Sequence, residues 1–482
     1  MRYGFSVYVL VIIVTSIIKC NSLTPRPVPL LPNSTCTCVN DVIDCSHRYL
    51  LSLERFTFHT NQNEFTTLDV SNNQISSLAP GAFSPLEISH LNLSWNQLTH
   101  IDGYVFDGIQ RFLKVLDVSH NQLQTLPDLS QCVGVLVLHV HDNPIDGSLQ
   151  AGVHHTTDEG FTDNVMRTLG RTLQEFKFGH ETRLEHWPKT IDHLLRLQTL
   201  IIDGLNMDHV YGPSFKGLEY SLTSLTIHRT KLQMIPNDIQ RLRLLQTLEL
   251  NHNVPTIDLG NHVISEEPFR SINTTLTTLA FTYDNLTEFP TILRFLGNLR
   301  NLSLAGNPLK TISDEAVELL VHTQVEFLSL AHCQLTRVPS SLASVHSLRS
   351  LDLSNNRLLS IDTGELASLT GLRVLNLRGN PLRTISRDAF AGMDNLSVLD
   401  LSFTNLTDVP KALQNLSGLR TLLLKGILVD CTCNLVWVRN WLTLFGKADL
   451  EIDGECGTIN QSLHDYIFYR LLRCPAYIEF IG

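Results

Sequence analysis

Hydrophobic residues along this chain fall into one phrase that keeps returning with the same polar positions between them. "FTTLDVSNNQI" begins at Phe65, "ISHLNLSWNQL" at Ile88, "LKVLDVSHNQL" at Leu113, "LRNLSLAGNPL" at Leu299, "LRSLDLSNNRL" at Leu348 and "LRVLNLRGNPL" at Leu372. Further copies start at Val135, Leu173, Leu197, Leu222, Leu245, Leu276, Val325, Leu396 and Leu419, about fifteen in all and mostly 22 to 26 residues apart. Within "LRSLDLSNN" the alternation sends Leu351 and Leu353 to one side and Ser350, Asp352 and Ser354 to the other, the period of a short strand. Asn356 falls where the chain leaves the strand, and an amide turned inward there is tolerable only with its hydrogen bonds satisfied. Each unit buries its leucines against the next, so no unit is stable alone and the two ends of the stack need caps.

By that period and the pattern L-x-x-L-x-L-x-x-N-x-L the chain is identified as a member of the leucine-rich repeat proteins. The resemblance implies an α/β-type repeat solenoid: a right-handed leucine-rich repeat horseshoe with a parallel concave β-sheet, disulfide caps at both ends and little regular helix on the convex side. Return segments such as "LTEFP", "LTRVP" and "LTDVP" agree, because Pro290, Pro339 and Pro410 favour extended or turn conformations. "CTCNLVWVRNWL" from Cys431 resembles the C-terminal flanking module of extracellular members, with Trp437 and Trp441 as packing aromatics. That resemblance implies the pairs Cys431–Cys456 and Cys433–Cys474. "CTCVNDVIDCS" from Cys36 looks like the matching N-terminal module without its usual first cysteine. The analogy pairs Cys36 with Cys45 and leaves Cys38 to Cys20, to a free thiol, or to an intermolecular bond that would make a dimer. Cys333 takes the inward asparagine position of its copy, and Cys132 precedes an apolar segment; both read as buried thiols.

The register also names the outward strip of the concave face: Asp69, Asn92, Asp117, His139, Lys177, Ile201, Thr226, Glu249, Ala280, Ser303, Ser329, Asp352, Asn376, Asp400 and Leu423. The strip is polar, mostly small and mildly acidic, without aromatic anchors; Phe327, at a neighbouring outward position, is the large apolar exception. With strands ~4.8 Å apart the arc spans on the order of 70 Å, a length suited to a macromolecule. His139, His141, Lys177, His228 and Glu249 are the candidate partner contacts. "HVHDNPIDG" from His139 has two imidazoles beside a carboxylate, with His154 and His155 further on, which are ingredients of a zinc site. Its alignment places His139 and His141 outward but fixes no third ligand, so the stretch reads as polar contact surface and no metal site is assigned. "HETRLEH" from His180 has its second histidine at i+6, not the i+4 of a helical zinc motif, and "GPSFKG" from Gly212 lacks the nucleophile elbow. With no nucleophile, base or metal set, neither enzyme activity nor a cofactor is expected.

Composition narrows the setting. Across 482 residues, 43% hydrophobic content excludes wholesale disorder. A charged fraction of 17% and a net charge of -11 leave no basic field for a phosphate backbone, which excludes nucleic acid as an expected partner. The run "VYVLVIIVTSII" after Arg2 predicts a secretory signal peptide over 1–22, too short for a comfortable membrane span, and no other stretch offers a span. A linker and N-terminal cap over 23–64, repeats over 65–429 and a C-terminal cap over 430–482 complete the expected organisation. The period breaks near 146–171 and again near 254–269, and such insertions are candidate binding loops. Inside the first, "TDNVMRTLGRTL" has the spacing of a short helix capped by Thr162 or Asp163. Glycosylation sequons stand at Asn33, Asn92, Asn273, Asn285, Asn301, Asn395, Asn405, Asn415 and Asn460, and none interrupts the window between Asn92 and Asn273. The resemblance to secreted repeat proteins and to the ectodomains of Toll-type and adhesion receptors implies a secreted, extracellular, non-catalytic scaffold. It would bind an extracellular protein or glycoconjugate in cell adhesion, extracellular matrix or innate immunity. The alternatives are a regulatory or inhibitory subunit of a secreted enzyme, or a shed or truncated receptor ectodomain.

Overall fold

The computed structural model describes residues 17–18, 57–58 and 36–474, apart from 54–56, 59–64, 85, 146–159, 181–186, 211, 233, 253–265, 367–368, 445–449, 458 and 460. The expected signal peptide apart from 17–18, Cys20, Asn33, Asn460, His154, His155, most of "HETRLEH" and the side chain of Cys38 lie outside the described residues. The chain divides into two compact units, one of Met1–Asn206 with Lys216–Ser221, the other of Met207–Phe215 with Leu222–Gly482.

In the first unit the antiparallel pair Thr37–Val39 and Val42–Asp44 opens a ladder that is parallel from there on. It continues through Thr67–Asp69, His90–Asn92, Val115–Asp117, Val137–His139, Glu175–Phe178 and Thr199–Leu205. In the second unit a parallel ladder runs from Ser224–Thr230 through Thr247–Asn251, Thr278–Thr282, Asn301–Ser303, Phe327–Ser329, Ser350–Asp352, Val374–Asn376 and Val398–Asp400 to Thr421–Val429 and Glu451–Cys456. The register within each ladder aligns the strip positions as the repeats predict, but Thr226, Ala280 and Ser329, expected outward, are buried in the second unit. Asp69 stands beside Asn92, Asp117 beside His139 and Lys177 beside Ile201; in the second unit Thr226 stands beside Glu249 and Asp400 beside Leu423. The residue between, Leu68, Leu116, Leu138, Leu351 or Leu375, is fully buried, so side-chain alternation alone separates core from surface.

The inward asparagine fastens each turn to its neighbours. Asn121 Nδ2 donates to the carbonyls of Leu93 (3.0 Å), Val118 (3.0 Å) and Ser119 (3.1 Å), while its Oδ1 accepts from Leu98 N (3.0 Å). Asn356 repeats the pattern across Leu330, Leu353 and Ser354, and its Oδ1 accepts from Cys333 N and Leu335 N. Cys333 fills the equivalent position with a thiol 3.2 Å from Leu304 O, and Cys132 is a second free, buried thiol.

Proline sets the return segments. Pro236, Pro290, Pro339 and Pro410 are extended and each introduces one 3-10 turn, as at Thr291–Phe295 and Lys411–Asn415. Longer helices are few among the described residues: Asp163–Leu169, Asp314–Val321 and Val436–Leu444. The first lies in the expected insertion with Thr162 at its N-cap, although no capping bond forms; Val165, Met166 and Leu169 bury it against the repeats. The part of that insertion from residue 160 onward is therefore packed return structure, and only 146–159 falls outside the description. Disulfides join Cys36 to Cys45, Cys431 to Cys456 and Cys433 to Cys474.

Candidate functional site

In the first unit, successive repeats leave the strand by the same local device. Asp69, Asn92 and Asp117 each turn a side-chain oxygen onto the backbone N–H two residues on, at Ser71 (2.8 Å), Ser94 (3.0 Å) and Ser119 (2.9 Å). The next copy replaces both members of that pair with histidine. His139 Nε2 lies 2.8 Å from Glu175 Oε1 on the following strand, and its Nδ1 lies 3.8 Å from Asp117 Oδ2 on the preceding one. Burial works against the charge of this imidazole, but the bonds and fields of the two carboxylates outweigh it and hold its pKa above the ordinary histidine value.

His141 departs from its expected outward position. Its residue is only 8% exposed, like Ser71, Ser94 and Ser119 before it, because the backbone has already left the strand at His139 and turned toward Asn143. It is therefore no surface contact, and its inclusion among the outward candidates is corrected. Burial, and next the charge of Lys177, push its pKa down to about 4. Its Nδ1 is shut from solvent with no hydrogen-bond partner.

The residue before each inward asparagine has a left-handed backbone: Asn72, Trp95, His120 and Asp142, with φ between 52° and 55°. Asparagine, aspartate and histidine accept this conformation readily, whereas tryptophan needs support from its surroundings. Backbone bonds supply it, from Trp95 N to Ser119 O, His120 N to His141 O and Asp142 N to Gly179 O, at 3.0, 3.0 and 2.9 Å. These side chains stack along the ladder. The Trp95 and His120 rings lie 4.0 Å apart and nearly parallel, the His120 and His141 rings meet edge to face at 5.1 Å, and His120 Nδ1 is 3.5 Å from Asp142 Oδ2. One ligand atom each from His120, His141 and Asp142 lies within 4.8 Å of the others. Sequence reading missed His120, Asp142 and Trp95 as a group. The available signal was "SWN", "SHN" and "HDN" at one offset in three successive copies.

Among the other candidates, Lys177 stands beside His139 in register, and its ammonium is 3.0 Å from the Asp203 carboxylate. His228 and Glu249 belong to the second unit, His228 opposite Asn251 and Glu249 between Thr226 and Ala280, both half-buried on their strands. The structure thus groups His139, His141 and Lys177 in one unit, with His228 and Glu249 in the other. Among the sequon asparagines, Asn285, Asn301, Asn395 and Asn405 are exposed, Asn273 and Asn415 are half-buried, and Asn92 is half-buried on the strip with its Oδ1 on Ser94.

Comparison with known proteins agrees with this architecture. The leucine rich repeat family profile matches residues 42–98, 323–382 and 370–426. Mouse podocan-like protein 1 is 30% identical over 43% of this chain and 38% of its own length. Human Toll-like receptor 9 is 25% identical over 60% of this chain and 29% of its own. The matches thus span well under half of these relatives. The solved Leptospira interrogans LRR protein LIC12759 superposes with a TM-score of 0.54 at 23% identity, covering 85% of this chain and 94% of that one, a likeness of fold.

Proposed function

Taking the chain as one built of leucine-rich repeats, we propose that it is an extracellular, non-catalytic scaffold that binds a protein or glycoconjugate partner on its concave strips, in adhesion, matrix organisation or innate immune recognition. The observation that carries this reading is the strip itself. Strand after strand places its strip residue in register with the next, and Asn92, Asp117, His139, Asp352 and Asn376 keep their side chains partly open to solvent. A row of mostly polar side chains offers area for a macromolecule. Disulfides in both terminal regions support an oxidising compartment. Relatives that include a Toll-like receptor support a recognition role.

The repeats provide their own test. Asp117 and Asp352 each lie two residues before a serine, so Asp117→Asn and Asp352→Asn create glycosylation sequons on the strips. The readout is retention of labelled protein on cells and matrix of the producing tissue. Each glycosylated variant should lose at least tenfold, about 1.4 kcal/mol, while Asp117→Asn combined with Ser119→Ala, which carries no sequon, should retain binding. Undiminished retention of both glycosylated variants would rule out the concave strips, and co-purification with a soluble hydrolase instead would favour the regulatory-subunit reading.

A further inference from the structure

We propose that the first unit holds a divalent transition-metal ion of the zinc class, bound by one ring nitrogen each of His120 and His141 and by a carboxylate oxygen of Asp142. The fold builds this triad across two adjacent repeats. His120 and Asp142 occupy the same left-handed turn position one repeat apart, and the bond from His120 N to His141 O fixes their spacing. Tetrahedral coordination at about 2.0–2.1 Å sets ligand atoms roughly 3.4 Å apart. His120 and Asp142 already meet that spacing at 3.5 Å, and a ring nitrogen of His141 lies within 4.8 Å of both.

Two further observations point to a ligand rather than a fortuitous cluster. The Nδ1 of His141, in a residue more than nine-tenths buried, lacks any hydrogen bond, a cost that natural structures seldom leave standing without a partner. The nearly parallel Trp95 ring packs on His120 and restrains the imidazole plane, the role outer groups commonly play around a metal. Around His141 the ammonium of Lys177, itself paired with Asp203, is opposed by the carboxylates of Asp117, Asp142 and Asp203. Two nitrogens and one oxygen suit zinc, cobalt, nickel or copper, whereas calcium and magnesium require oxygen shells. Partial exposure of His120 and Asp142 leaves one coordination position for water or an exogenous donor. His139 lies outside this cluster, its ring set between the Asp117 and Glu175 carboxylates.

The test uses untagged full-length protein, stripped with chelator and titrated with zinc alone by calorimetry, then with cobalt(II) to read ligand-field absorption. Wild type should bind one equivalent, with cobalt bands of four-coordinate intensity. His120→Asn and His141→Ser should each weaken zinc binding at least tenfold and abolish those bands, whereas His139→Ala should leave both unchanged. Both replacements already occur at the equivalent turns, as Asn72 and Ser119, so the fold is kept and circular dichroism verifies it. Absence of one-equivalent binding, binding indifferent to both substitutions, or loss with His139→Ala would each overturn the assignment.

Discussion

The turn before the inward position, asparagine in most copies, has a left-handed backbone in both units and different chemistry. In the first unit it carries Asn72, Trp95, His120 and Asp142; in the second, His252, Tyr283, Gly306, His332, Asn355, Gly379 and Phe403, all at positive φ. His252 and Tyr283 stack at 4.5 Å with rings nearly parallel, and the Arg378 guanidinium lies over Phe403 at 4.4 Å. Gly306 is what allows Tyr283 to lie across the next turn, since a Cβ there would meet the ring at 2.4 Å. Both units stack an imidazole on an aromatic ring, but the first adds a second imidazole and a carboxylate, while the second adds the open side of a glycine beneath Tyr283 and a guanidinium over Phe403. Backbone geometry sets where such a ladder can exist, and the neighbour one repeat away decides its chemistry.

The largest expected effect contrasts the inward positions of the two units. Asn121→Ala strands the backbone groups of the turns on either side of it and should cost about 2–4 kcal/mol. Cys333→Ala removes only weak thiol contacts and should cost about 1 kcal/mol. Urea denaturation compares them, and equal losses would show that the amide network contributes no more than packing.

Acid should separate the units next. With a folded-state pKa of about 4 against about 6.5 unfolded, His141 adds stability that is complete above pH 6.5 and is lost as pH falls toward 4, at most about 3 kcal/mol. His139, raised by its carboxylates, acts with opposite sign, stabilising at low pH and losing that contribution as pH rises through its folded value. In the presence of chelator, His141→Ser should flatten the acid limb of the stability profile; an unchanged slope would remove His141 as its source.

A more local effect belongs to the glycine that makes room. Gly306→Ala should destabilise by about 2 kcal/mol, from left-handed strain together with the Tyr283 contact. Combining it with Tyr283→Ala should recover the contact share and leave the strain, a coupling measurable in a double-mutant cycle. Additive losses would assign the whole cost to the backbone.

Much of this was legible in the repeats. Alternation placed Asp69 beside Asn92 and Glu249 beside Ala280 because a strand's period is two and a parallel ladder joins equivalent positions. The inward asparagine was legible because one polar residue recurs among leucines at a fixed offset. The burial of His141 was not, because alternation in the letters runs past the strand end at His139, while the chain itself turns inward there.

What the sequence determined by itself is the repeat and its register, since these follow from local periodicity and from each copy burying its leucines on the next. Only the tertiary structure decided that Trp95, His120 and His141 share one stack and that Asp142 reaches His120, for residues about one repeat apart meet only after their turns are hydrogen-bonded side by side.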